Sequence, residues 1–143
     1  MMISTDAAIA RIALGVIDRT LPKRDWTHAA HFAAALWLYR HRPDLATPQG
    51  MRTLISRYNN ATLTANTDSS GYHHTITCAS MRAAAHYLER YAPEAPLHRV
   101  LAALMASRPG NPEWLLDHWH RDTLFSVLAR RGWVEPDRQP LPF

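Results

Sequence analysis

The sequence predicts an all-α fold: a single-domain antiparallel bundle of about five to seven helices with an extended C-terminal tail. The chain has 143 residues, the usual size of one domain, so residues 1–143 are predicted to form one unit. Apolar residues recur every three or four positions in several segments, as on the buried face of a helix. No segment shows the sustained alternation of apolar and polar residues that is typical of strands.

The first two helices are predicted over residues 3–19 and from Asp25 to about Arg40. The apolar stripe of the first helix consists of Ile9, Ile12, Ala13 and Val16. The Asp25 carboxylate can accept hydrogen bonds from the free amides in the first turn of the second helix. That helix is expected to end before Pro43, because the residue that precedes a proline avoids helical backbone angles.

A third helix is predicted to begin at Thr47-Pro48, where a hydroxyl can cap the helix and proline takes its first position. Residues 59–71 are rich in Asn, Thr, Ser and Asp and are predicted to form a loop. A fourth helix is expected from about Tyr72 to Tyr91 and a fifth over residues 96–107. Prolines shortly after each of these two segments are expected to end them.

The last third of the chain is predicted to contain two short helices, over residues 112–119 and 126–131. Its large aromatic side chains are expected to form a layer that closes one end of the bundle. They are Trp114, Trp119, Phe125 and Trp133. Residues 135–143 contain three prolines and are expected to run extended over the surface.

Charge and composition exclude several classes of function. The net charge is +4, but the arginines are spread along the chain without the dense basic run of a nucleic-acid-binding arm. No window approaches the roughly 18 uninterrupted apolar residues of a membrane span. The single cysteine, Cys78, cannot form an internal disulfide and is expected to be a buried, inert thiol. A cytoplasmic protein with neither nucleic acid nor membrane as a partner is the expectation.

The residues most suggestive of chemistry are three histidines. His28 and His31 lie three apart at the start of the second helix, so their side chains share one face. His73 lies at the start of the fourth helix. Three imidazoles meeting at one centre can hold a divalent metal such as zinc or iron. Without a metal, His28 or His73 can act as a general acid or base near neutral pH.

Other polar residues extend this cluster into a predicted pocket between helices two, three and four, where bundles often place their sites. His73 and Thr77 lie four apart on one helix and share a face. Arg57 is available to an anionic group, so a small polar or anionic ligand is expected. The candidate ligand-binding residues are Arg57, Tyr58, Asn59, Thr67, Tyr72, Thr75 and Thr77.

A structural interpretation stays open beside this one. The residues between His28 and His31 are alanines, so the Glu of the protease-type zinc signature is absent. Thr67 and the polar residues after it can simply cap the fourth helix. On this alternative the chain is a non-catalytic interaction module, a homodimer or an adaptor. The histidines are then satisfied core or interface residues, and the aromatic C-terminal segment docks on a partner.

Five segments together resemble a family of small uncharacterised bacterial helical proteins. They are WTHAAH at 26–31, YN at 58–59, GYHHTIT at 71–77, LFS at 124–126 and GWVEPD at 132–137. The resemblance spans residues 24 to 142. It implies that these segments belong to one domain, and it implies no substrate and no catalytic role.

Overall fold

The computed structural model describes residues 3–143 and shows an all-α helical bundle, as predicted. Within those residues it contains no strand. The α-helices are α1 (Asp6–Asp18), α2 (His28–His41), α3 (Pro48–Ala61), α4 (His74–Leu88), α5 (Leu97–Met105), α6 (Arg121–Leu124) and α7 (Val127–Arg131). Short 3-10 turns occupy Lys23–Asp25, Arg108–Gly110 and Pro112–Asp117. No helix in the described part of the chain has the length and apolarity needed to cross a bilayer.

Threonine hydroxyls determine where the first three helices begin. Thr5 accepts a hydrogen bond from the Ala8 amide and starts α1, and Thr47 caps α3 ahead of Pro48 as predicted. The prediction that Asp25 opens α2 is wrong. Thr27 accepts the hydrogen bond of the Ala30 amide at 3.2 Å, whereas Asp25 belongs to the preceding 3-10 turn. A hydroxyl at the cap position satisfies one of the four free amides of a helix N-terminus.

Helix α4 begins two residues later than predicted because His73 is its N-cap. The Nδ1 atom of His73 accepts a hydrogen bond from the Ile76 amide at 3.2 Å. The amide of Tyr72 points elsewhere and donates to the Asn66 side chain at 3.0 Å. Tyr72 and His73 therefore belong to the end of the loop, and the helix ends at Leu88 rather than Tyr91.

Helix α2 lies at the centre of the bundle and packs against α1, α4 and α5. Residues 32–36 and Leu38 are all buried, so apolar side chains surround the helix on nearly every side. A helix that is apolar all round is typical of a buried position. Its alanines let neighbouring helices approach closely, and this brings the first turn of α2 next to α4.

The N-terminus of α5 is held by a side chain from α1. The carboxylate of Asp6 accepts hydrogen bonds from the Leu97 amide at 3.2 Å and the His98 amide at 2.9 Å. It also contacts His98 Nδ1 at 2.8 Å. A carboxylate at this point satisfies free amides and complements the positive end of the helix dipole. The cap of α5 is thus supplied by a residue 91 positions earlier in the sequence.

Three of the four predicted aromatic residues pack at one end of the molecule. Trp114 and Trp119 are fully buried, and the Trp119 ring meets Trp133 edge to face at 5.7 Å. Phe125 does not belong to this layer, since it is 49% exposed. Residues 135–143 have no helix and are fastened to the bundle through His118, whose Nδ1 contacts the Gln139 carbonyl at 3.0 Å.

Candidate functional site

Two adjoining cavities lie where α2, α3 and α4 meet. Both have mostly apolar walls. The one whose lining includes Asn59 and His73, called the polar cavity, has a volume of about 400 Å³, and its neighbour, called the apolar cavity, has a volume of about 330 Å³. The two share part of their walls, formed by Trp26, His31, Ile55, Ile76 and Thr77. This is the inter-helix position at which bundles commonly bind ligands.

Most of the predicted site residues converge on the polar cavity. Its wall includes His31, Tyr58, Asn59, Tyr72, His73 and Thr77. These residues come from three separate stretches of the sequence, which the packing of α2, α3 and α4 brings to one cavity. The hydrogen bonds of His73, His28 and Thr75 give these side chains roles other than the predicted ones.

His31 presents an unprotonated ring nitrogen between the two cavities. Its Nδ1 lies 2.6 Å from the Thr27 carbonyl, and since a carbonyl can only accept, Nδ1 carries the hydrogen. The ring stacks on Trp26 at 3.8 Å. His31 is exposed to solvent on one side, and on the other it lines both cavities. Desolvation of the ring where it packs against the protein lowers the pKa of His31 to about 4, and the neighbouring His28 adds to this effect. The ring is therefore neutral at pH 7, with Nε2 as a free acceptor.

His73 is a structural residue, and the prediction that it acts as an acid or base is wrong. Its Nδ1 accepts the Ile76 amide hydrogen, and its Nε2 donates to the Leu124 carbonyl at 2.7 Å. Both ring nitrogens are therefore engaged by backbone groups. Burial lowers the pKa of His73, which keeps the ring in the neutral form that this arrangement requires.

The predicted three-histidine metal centre does not form. His28 lines the apolar cavity but not the polar one, and its Nε2 donates to the Pro109 carbonyl at 2.8 Å. Both nitrogens of His73 are engaged by the backbone, so it cannot be a ligand. Across residues 3–143, no group of three or more His, Cys, Asp or Glu side chains is placed to hold a metal ion. His28 and His31 remain as a pair of imidazoles beside the apolar cavity.

Asn66 organises the loop that forms one rim of the polar cavity. Its Oδ1 accepts hydrogen bonds from the Asn59 side chain and the Tyr72 amide, each at 3.0 Å. Its Nδ2 donates to the Ser56 carbonyl at 3.0 Å. Gly71 completes the turn at φ 75°, and a Cβ there would lie 2.4 Å from the Ala65 carbonyl oxygen. Only glycine fits such a position without strain.

Two cationic side chains that the sequence did not single out also line the polar cavity: Lys23 and Arg130. Arg130 is held in place by its Nη1, which donates to the Gly71 carbonyl at 3.1 Å. No carboxylate lines this cavity. Two carboxylates lie outside the lining: Asp25 is paired with Arg11, and Asp68 is paired with Arg131 and also interacts electrostatically with Arg130. Among the described residues, Lys23 and Arg130 form no ion pair within 4.0 Å of a carboxylate. Nothing in the sequence could have indicated these contacts, because Lys23 follows a proline turn and Arg130 lies near the other end of the chain.

Three predicted ligand-binding residues lie outside both cavities. Arg57 is exposed and lines a different cavity of about 380 Å³ together with Arg19 and Arg42. Thr67 is exposed in the loop, where its hydroxyl contacts Ser70 at 3.0 Å. Thr75 is fully buried on the other side of α4.

Thr75 joins α4 to the C-terminal segment instead of facing a ligand. Its hydroxyl donates to the Gly132 carbonyl at 2.8 Å and accepts from the Val134 amide at 3.1 Å. Both hydrogen-bonding capacities of the side chain are therefore used by the backbone. Its role is to hold the segment that carries Trp133 against α4.

Comparisons with protein families, with curated proteins and with solved structures give no match for this chain. The resemblance described from the sequence therefore stays a prediction, and the inferences below rest on the geometry of the molecule.

Proposed function

We propose that the chain binds a small organic anion, with the anionic group in the polar cavity and an apolar portion in the adjoining apolar cavity. The observation that carries this proposal is the charge of the polar cavity: two cations, Lys23 and Arg130, line it and no carboxylate does. A cleft lined by one sign of charge attracts ligands of the other sign.

Arg130 is prepared for such a ligand. One nitrogen of its guanidinium group is tethered to backbone carbonyls of Gly71 and Tyr72, which limits the freedom that binding would otherwise remove. The remaining donors have no protein acceptor among the described residues. A planar guanidinium pairs well with a carboxylate because two of its N–H groups match the two oxygens.

His31 and the apolar cavity supply the remaining selectivity. The free Nε2 of His31 accepts a hydrogen bond from a hydroxyl or amide of the ligand at the junction of the cavities. Phe32, Ile55 and Leu115 line the apolar cavity, which is large enough for a phenyl ring or a short alkyl chain. If the ligand is chemically transformed, His31 is the residue that takes up a proton, since both nitrogens of His73 are engaged.

The test compares phenylacetate with phenylacetamide, a neutral molecule of nearly the same shape. Binding is followed by titration of the Trp26 indole N–H signal in two-dimensional NMR, assigned with Trp26→Phe. We expect saturable binding of phenylacetate and at least roughly fivefold weaker binding of the amide, since a partly exposed ion pair contributes about 1 kcal/mol.

Substitutions of the two cations test whether they bind the carboxylate. Arg130→Gln and Lys23→Gln should each weaken phenylacetate binding several-fold. Arg99→Gln is the matched control, because it removes the same charge from an exposed position of α5 that lines none of the cavities described. Equal affinities for the acid and the amide, or equal losses in the Arg99 and Arg130 variants, would contradict the proposal. So would the absence of saturable binding across a series of carboxylates from formate to phenylbutyrate.

A further inference from the structure

A third cavity, which shares Thr77 with the two described above, is lined by two members of a chain of three hydrogen-bonding side chains. The Tyr72 hydroxyl lies 2.7 Å from His74 Nδ1, and His74 Nε2 lies 3.5 Å from the Cys78 sulfur. His74 and Cys78 are one turn apart on α4, which places them on the same face. A thiol, a base and a group that orients the base are the parts of a nucleophilic site.

The tautomer of His74 determines the direction of this chain, because the Tyr72 hydroxyl can donate or accept. With the hydrogen of the imidazole on Nδ1, the Tyr72 hydroxyl accepts it. That tautomer leaves His74 Nε2 unprotonated beside the Cys78 sulfur, as a general base requires.

The thiol faces a cavity that also contains a positive charge. His74, Cys78 and Arg82 line this cavity of about 270 Å³, with Tyr39 and Trp133 on its apolar walls. The Arg82 guanidinium lies over the Trp133 ring at 4.3 Å and forms no ion pair among the described residues. Arg52 is the other cation close to the thiol and the imidazole. A ligand in this cavity therefore meets a sulfur nucleophile and a cation together.

The resting state of this pair is neutral. Burial raises the pKa of Cys78, although Arg82 and Arg52 act against this, and burial lowers the pKa of His74. Thiol and imidazole are therefore joined by an uncharged S–H···N hydrogen bond. Once His74 takes the proton, the imidazolium and the two guanidinium groups stabilise the thiolate that forms.

We propose that Cys78 is the nucleophile of a second site that adds to small α,β-unsaturated carboxylates, with His74 as general base and Arg82 bound to the carboxylate. The thiol proton moves to His74 Nε2, and sulfur bonds to the β-carbon. The electron pair of the C=C bond moves to the α-carbon, which then takes the proton back from His74. No group leaves and no oxidant or reductant is needed, so the side chains present are sufficient for this reaction.

The probes are monomethyl fumarate, which carries one carboxylate, and dimethyl fumarate, which is neutral. Intact mass reports adduct formation without ambiguity because the chain has one cysteine. Each rate is divided by that of N-acetylcysteine under the same conditions. We expect the normalised rate with monomethyl fumarate to exceed that with dimethyl fumarate by at least roughly fivefold, because the carboxylate forms an ion pair with Arg82 that contributes about 1 kcal/mol.

Two variants and their controls separate the roles. His74→Gln should slow adduct formation at pH 7 by about 100-fold, in the range of general base catalysis, while His86→Gln on the same helix should not. Arg82→Gln should abolish the preference for the anionic ester, and Arg90→Gln should preserve it. Far-UV circular dichroism reports whether each variant is folded.

The pH dependence of the unmodified protein gives a measurement that does not depend on any variant folding. A base-assisted pair reacts at a rate that levels off below the pKa of an ordinary thiol. An unassisted thiol loses about tenfold in rate for each pH unit below its pKa. A tenfold-per-unit slope down to pH 6, or a protein rate below that of N-acetylcysteine with both esters, would overturn the proposal.

Discussion

Replacing His73 with alanine tests whether this residue is structural. The variant loses the N-cap of α4, which typically contributes about 1 kcal/mol. It also leaves the Leu124 carbonyl of a fully buried residue without its 2.7 Å hydrogen bond, at a cost of about 1–3 kcal/mol. The two effects together predict a loss of about 2–4 kcal/mol in the free energy of unfolding. For a domain of this size that corresponds to a drop in Tm of roughly 6–12 °C.

Urea denaturation followed by circular dichroism measures this loss. His73→Asn should recover about 1 kcal/mol of it, since asparagine is a good N-cap but cannot reach Leu124 in the same way. The exposed His41 provides the control, and its replacement by alanine should change stability by less than about 0.5 kcal/mol. Below its melting temperature, His73→Ala should still bind phenylacetate. A stability change under 0.5 kcal/mol combined with lost binding would refute the structural role.

Three further outcomes follow from the same geometry. Gly71→Ala should destabilise by about 1–3 kcal/mol, because it combines a left-handed backbone with a steric conflict, and should weaken phenylacetate binding; urea titration and NMR check both. Thr75→Val should cost about 2–3 kcal/mol by leaving two backbone groups of the C-terminal segment unpaired, while Thr75→Ser retains most of the stability. The urea midpoint should fall as the pH falls from 6.5 toward about 4, because the lowered pKa values of His31, His73 and His74 let the unfolded chain bind more protons; a midpoint that is constant or rises over this range would contradict it.

The helices were predictable where a local signal marks their ends. Thr47-Pro48 combines a hydroxyl cap with proline at the first position, and α3 begins there. Helix α4 was harder to locate, because histidine is an unusual cap and its role depends on Leu124, 51 residues away. The start of α2 was also hard to locate. Asp25 and Thr27 are both good N-cap residues, and only the 3-10 turn over Lys23–Asp25 decides that Thr27 caps the helix.

The candidate site was predictable in outline. Adjacent helices bring His31, Tyr58 and Thr77 to one cavity because each lies on a face that the bundle turns inward. Its charge was not predictable, since Arg130 reaches the cavity through the packing of α7 against α4. Hydrogen bonds to backbone carbonyls, which decide which histidine nitrogen is free, depend on tertiary structure and leave no trace in sequence spacing.

The surroundings of Cys78 could not be predicted from the sequence either. Its place in mid-helix without a motif indicated an inert thiol, but the residue is only partly buried and faces a cavity beside His74. The four-residue spacing of His74 and Cys78 was visible in the sequence. That the thiol would face a cavity rather than the core was not, because it depends on how residues 132–134 are anchored by Thr75.

The carboxylate of Asp6 joins two helices that are far apart in the chain, and this has a consequence for motion. When α1 separates from the bundle, the first amides of α5 lose their acceptors at the same moment, so the two helices open as one cooperative unit. Hydrogen exchange at Leu97 and His98 is therefore governed by the opening of α1. Through this contact, opening at the first turn of α1 is expected to affect residues 97–98 directly, without first disturbing α2, α3 or α4.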